Sequence, residues 1–140
     1  MYNYVKEKPV PEEYLLLGKL GELLVSFYLF GEDRTNWDIN WEITKDENDG
    51  CVDLNFQGWS IDVKTSRYEK APLLKEYVNK RENPKDLYCL VGLNLVTLDY
   101  RICGFIQSDY FRSEQFLVRN WKGMGNRYIA EPKDLFQIKT

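Results

Sequence analysis

At 140 residues, with 44% apolar and 15% aromatic content, the chain suffices for one domain with a sizeable core and is too apolar to be disordered. Its net charge of −3 lacks the basic excess usual in nucleic-acid binders, so a basic face has to be local. It contains no histidine, which excludes Ser-His-Asp and Cys-His catalysis and His-ligated zinc, and leaves acid–base or metal work to carboxylates, Lys and Tyr.

Met1 to Pro11 reads as an extended N-terminal arm, because Pro9 and Pro11 block a helix. The N-terminal stretch does not read as a signal peptide: Lys6, Glu7 and Lys8 come early, and no small-residue cleavage site follows an apolar core. Glu12 to Phe30 predicts a long helix closed by Gly31. Its main apolar stripe is Leu16, Leu20, Leu23, Leu24 and Phe27. Glu22 falls on the opposite side with Leu15, Val25 and Leu29, flanked by the small residues Gly18 and Ser26. Gly18, Lys19, Gly21 and Glu22 interrupt the stretch well short of the ~20 apolar residues that cross a bilayer.

Ile39 to Thr44 alternates like a strand, and Lys45 to Gly50 is a charged turn. Cys51 to Phe56 and Trp59 to Lys64 are alternating runs separated only by Gln57 and Gly58, the pattern of a tight hairpin. A helix is expected over Ala71 to Arg81. Leu87 to Leu95 and Tyr100 to Gln107 are apolar strands, paired through a turn near Thr97 to Asp99. Asp109 to Leu117 predicts a short helix capped by Ser108. Asn120 to Asn126 is a loop with two glycines, and Arg127 to Ala130 a last strand. The expected architecture is a single α/β domain over residues 1–140, a mixed central sheet of about five strands flanked by helices. Cys51, Cys89 and Cys103 lie in separate apolar runs, as reduced core residues of a cytoplasmic protein would.

The hairpin carries the chemistry. A two-residue turn at Gln57-Gly58 pairs Phe56 with Trp59 and keeps paired positions at a constant sum of 115, so Asp53 faces Asp62. Opposed pairs have Cβ atoms roughly 5 Å apart, and two like charges there need an offset. A hard divalent cation supplies one. Asp62 and Lys64 share a strand face, while Ile61 and Val63 point to the core. Two acids and an amine on one face suit phosphodiester hydrolysis: the cation polarises the phosphoryl oxygen and acidifies a water, and Lys64 balances developing charge.

Asp53 followed by Asp62-Val63-Lys64, with the flanks Gly50-Cys51-Val52-Asp53-Leu54 and Ile61-Asp62-Val63-Lys64-Thr65-Ser66, resembles the D-x(n)-(D/E)-x-K core of PD-(D/E)XK nucleases. Upstream, Gly18-Lys19-Leu20-Gly21-Glu22 is similar to the first helix of many members. Val52 replaces the usual Pro, and Asp62 stands where Glu is commoner. The resemblance implies a restriction-endonuclease-like core and a Mg²⁺- or Mn²⁺-dependent deoxyribonuclease. It implies Glu22, Asp53, Asp62 and Lys64 as catalytic residues, with Glu22, Asp53, Asp62 and the Val63 carbonyl as metal ligands. DNA is the implied partner and a homodimer the implied assembly, with no membrane. A structure-specific, junction-resolvase-like enzyme and a small restriction- or phage-type nuclease fit equally well.

Each reading has a plainer rival. Asp53, Asp62 and Lys64 read otherwise as a surface ion-pair cluster, and Glu22 as a solvated helix residue. The Gly123-Met124-Gly125-Asn126-Arg127 loop is equally an approach to a phosphate backbone and an ordinary turn. Arg67, Lys70, Lys75, Lys80, Arg81 and Lys85 form the best basic stretch, diluted by Glu69, Glu76, Glu82 and Asp86 into the pattern of a solvated helix. Trp37, Trp41, Trp59 and Trp121 read as core or interface rather than base-stacking platforms. The alternative function is a non-catalytic DNA- or protein-binding module on a nuclease-like scaffold.

Overall fold

The computed structural model describes residues 12–31, 54–67, 71–79 and 84–138. The arm over 1–11, the expected strand over 39–44, and Trp37, Trp41, Cys51 and Asp53 lie outside them. The described chain forms helix α1 (Glu12–Phe30), strands β1 (Leu54–Phe56), β2 (Trp59–Arg67), β3 (Leu74–Tyr77), β4 (Leu87–Leu93) and β5 (Tyr100–Gln107), helix α2 (Ser108–Phe111), and strands β6 (Leu117–Val118) and β7 (Arg127–Ala130). No helix among the described residues is long and apolar enough to cross a membrane.

Two sheets result: a mixed four-stranded one in the order β1-β2-β4-β5, and a three-stranded one in the order β3-β7-β6. The fold is therefore mixed α/β, with its strands divided between two sheets rather than gathered in one of about five. The hairpin forms in the expected register: Leu54 pairs with Ile61, Asn55 with Ser60 and Phe56 with Trp59. Gln57 and Gly58 both take positive φ, 51° and 86°, as the tightest hairpin turn requires. From there β2 runs parallel to β4, and β4 pairs antiparallel with β5. The Ser60 backbone N–H and hydroxyl both donate to the Asp86 carboxylate, at 2.9 and 3.1 Å, tying the starts of β2 and β4 together.

β4 is buried along its whole length, as expected of a strand covered on both faces. On one face α1 packs Val25 and Leu29 against Leu54, Ile61, Val63, Leu87, Cys89, Val91 and Phe105. On the other, Tyr88, Leu90, Cys103, Ile106 and Phe111 meet Leu74 and Ala130 of the small sheet. A bulge between Leu90 and Val91 sets Cys103 out of step, and this puts Ile102 and Phe105, three apart, on the helix side. Gly104 makes the bulge possible. Its φ is +139°, and a Cβ there would lie 2.7 Å from the Leu135 Cβ and 2.9 Å from the Phe136 carbonyl.

Three expectations change. The expected helix over Ala71 to Arg81 is instead the strand β3, paired antiparallel with β7. Pro72 and tertiary pairing override the helix-favouring Leu, Lys and Glu. The helix expected from Asp109 to Leu117 stops at Phe111, and a 3-10 turn over Glu114–Phe116 leads into β6. Ser108 is not its cap; its hydroxyl donates to the Lys85 carbonyl, and Gln107 precedes the helix without a side-chain cap. The buried stripe of α1 is also displaced. Leu16 is exposed, whereas Glu22, Val25, Ser26 and Leu29 are buried, because the close approach to β2 is made at Gly21. A Cβ on Gly21 would lie 1.9 Å from the Thr65 Oγ1.

Candidate active site

β2 supplies the site's centre. Its odd-numbered residues Ile61 and Val63 enter the helix-side core, so Asp62 and Lys64 project toward the small sheet. Asp62 is 3% exposed and Lys64 31%. The Lys64 ammonium stands 3.6 Å from the Asp62 carboxylate and 3.7 Å from the Glu76 carboxylate of β3. Glu76 is buried, and it accepts hydrogen bonds from the Tyr88 hydroxyl at 3.0 Å and the Tyr77 backbone N–H at 2.9 Å. Buried charges persist where they are paired and hydrogen-bonded. Here one ammonium, reaching partly into solvent, serves two interior carboxylates.

The structure thus brings Asp62 and Lys64 together. Glu22 is 1% exposed on α1, the helix that covers the odd-numbered face of β2, and buried Lys19 precedes it by one turn. The burial of Glu22 removes the rival reading of it as a solvated helix residue. Asp53 lies outside the described residues, and the described pairing of the hairpin ends at Leu54 with Ile61. The Val63 side chain belongs to the helix-side core, which leaves its main-chain carbonyl for the ligand role.

Glu76 and Tyr88 belong to the site, and the sequence reading missed both. Glu76 is counted there as an acid diluting a basic stretch, and Tyr88 as one more apolar strand residue. Nothing local in the sequence singles them out, since β2, β3 and β4 are brought together by tertiary packing. In the folded chain Leu74 and Glu76 are buried while Lys75 and Tyr77 are exposed, an alternation that the acid at 76 conceals in the sequence.

The donor set is hard oxygen, which suits Mg²⁺ or Mn²⁺ over a soft metal. Among the described residues no three Asp, Glu or Cys side chains are grouped to hold a metal ion. A magnesium site commonly draws on one or two carboxylates plus substrate phosphate, so Asp62 with one further acid fits that chemistry.

Beside this site lies a second cluster, of basic and aromatic side chains. On the outer face of the small sheet the Arg127 guanidinium covers the Tyr77 ring at 4.1 Å. The ammonium groups of Lys75 and Lys122 lie 4.8 and 4.7 Å from the centre of the Trp121 ring. Trp121 is half-buried and Trp59 exposed, so neither is an interior tryptophan. Compared with known proteins, the chain matches no family model, no curated protein and no solved structure.

Proposed function

We propose that this chain is a metal-dependent nuclease that hydrolyses DNA phosphodiester bonds around Asp62 and Lys64, on a restriction-endonuclease-like core. The observation that carries the reading is the pairing of a buried Asp62 with a partly exposed Lys64, 3.6 Å apart on one face of a hairpin strand. A Mg²⁺ or Mn²⁺ ion held by Asp62 with Asp53 and the Val63 carbonyl would supply Lewis acidity and a water of lowered pKa. Lys64 carries a positive charge to the phosphoryl oxygens where negative charge builds up. Glu76 positions that ammonium from the far side, and Tyr88 fixes Glu76. The protein's own contribution is a preset positive charge whose position is held by two carboxylates before substrate arrives.

A non-catalytic binding module is the rival reading, favoured by the ion pairs Lys64 already makes with both Asp62 and Glu76. Supercoiled, linear and branched DNA incubated with Mg²⁺, Mn²⁺ or EDTA separates the two. Cleavage should need the metal and fall about a hundredfold or more in Asp62→Ala and Lys64→Ala. A well-folded protein that cleaves none of these substrates with either metal would refute the nuclease.

A further inference from the structure

The outer face of the small sheet holds a groove of about 290 Å³ lined by Lys75, Glu76, Tyr77, Trp121, Met124 and Arg127. We infer that this groove binds an unpaired nucleotide of a nucleic-acid strand, the base on Trp121 or Tyr77 and the flanking phosphates on Lys75, Lys122 and Arg127. The inference rests on the nuclease reading and extends it to the form of the substrate.

The arrangement of cations and rings carries the argument. In a chain of net charge −3, three basic side chains converge on two aromatic rings. The one acid in the lining, Glu76, turns its carboxylate away to Tyr88 and Lys64. Cation–ring contacts at open sites are weak. A phosphate can therefore draw an ammonium off the indole and leave the ring face to a base. Stacking on aromatic rings beside a positive groove is how single strands are held without sequence preference. The groove lies near the small end of ligand clefts, about 300 Å³, a size that suits one splayed nucleotide.

The loop that presents Trp121 is built for position. Asn120 and Lys122 hold left-handed backbone at φ 49°, a strained state for non-glycine residues. The loop closes on itself through Trp121 N–H to the Gly125 carbonyl at 2.8 Å and Asn120 N–H to the Asn126 side chain at 2.9 Å. The groove also adjoins the candidate active site through β3, where Lys75 and Tyr77 face outward and Glu76 inward. A strand seated in the groove is thus one β-strand away from Lys64.

Fluorescence anisotropy of a short labelled oligodeoxythymidylate, measured in EDTA with full-length protein, tests the groove without cleavage. Trp121→Ala should weaken binding about tenfold, and Trp121→Phe should retain most of it. Lys75→Gln and Arg127→Gln should each lower the slope of log affinity against log salt by roughly 0.7. They decide the matter if Trp121→Ala does not fold by circular dichroism. Wild-type affinity and salt slope in the folded variants, or equal competition by polyglutamate, would overturn the inference. Binding that depends on Trp121 in a protein that cleaves nothing would uphold the groove and reject the nuclease. Metal-dependent cleavage with no loss of binding in Trp121→Ala would do the reverse.

Discussion

The two sheets solve different problems with similar strands. In the four-stranded sheet β4 is buried on both faces, between α1 and the small sheet, and its burial leaves no room for charge. In the three-stranded sheet β3 alternates buried and exposed residues, and β6 and β7 bury little beyond Ala130. The first is a frame whose side chains are fixed by packing. The second is a thin layer that lends one carboxylate to the interior and turns cations and rings to solvent. The difference shows where chemistry is affordable: at the seam, where a packed strand meets a half-exposed one, a charge can be both held and reached.

Several substitutions break or sharpen this contrast. Phe105→Ala, in the helix-side core, should cost about 3–5 kcal/mol by urea unfolding, whereas exposed Val118→Ala in β6 should cost less than about 0.5 kcal/mol. Comparable losses at the two would show the small sheet to be as deeply structural as the large one. Gly21→Ala should cost about 1–3 kcal/mol, because the new methyl group overlaps Thr65 at the helix–strand contact. An unchanged midpoint would mean that α1 does not rest on β2 there.

The thiols report on the frame through pH. Burial pushes the Cys89 thiol well above its ordinary range, with the neighbouring Cys103 adding to the effect. Burial also raises Cys103, partly opposed by Arg101 and a backbone hydrogen bond from Gly92. The folded state therefore keeps these protons where the unfolded chain releases them. Their contribution to stability is complete below the ordinary thiol pKa of about 8.5 and is lost as pH rises above it. A double Cys89→Ala, Cys103→Ala variant should show a flatter decline in unfolding free energy above that pH. A decline identical to the wild type would assign the alkaline loss to other groups. A small effect is also expected at the exposed Arg67–Glu13 pair, where Glu13→Gln should change stability by no more than about 1 kcal/mol.

Much of the frame is legible in the sequence because its signals are local. Gln57-Gly58 between alternating runs specifies the turn and its register, Gly31 ends α1, and the apolar runs of β4 and β5 declare a buried pair. Asp62 and Lys64 follow from alternation alone. The small sheet is less legible for a physical reason. At position 76 an acid occupies a buried strand site, so the apolar alternation that would identify β3 is interrupted by the residue that reaches Lys64. The facing of α1 is obscured likewise, since its contact with β2 is made by Gly21 and its buried side holds Lys19, Glu22 and Ser26. Polar residues placed for a purpose hide the elements that carry them.

Strand β3 has a consequence for how this chain tolerates a slip in register. Its neighbours in sequence serve opposite surfaces, Glu76 the interior and Lys75 and Tyr77 the groove. A slip of one residue in its pairing with β7 would exchange those assignments, sending an ammonium inward and the carboxylate to solvent. Glu76 reaches Lys64 only while Leu74 stays opposite Ala130, so the candidate site depends on a strand register that neither residue reveals alone.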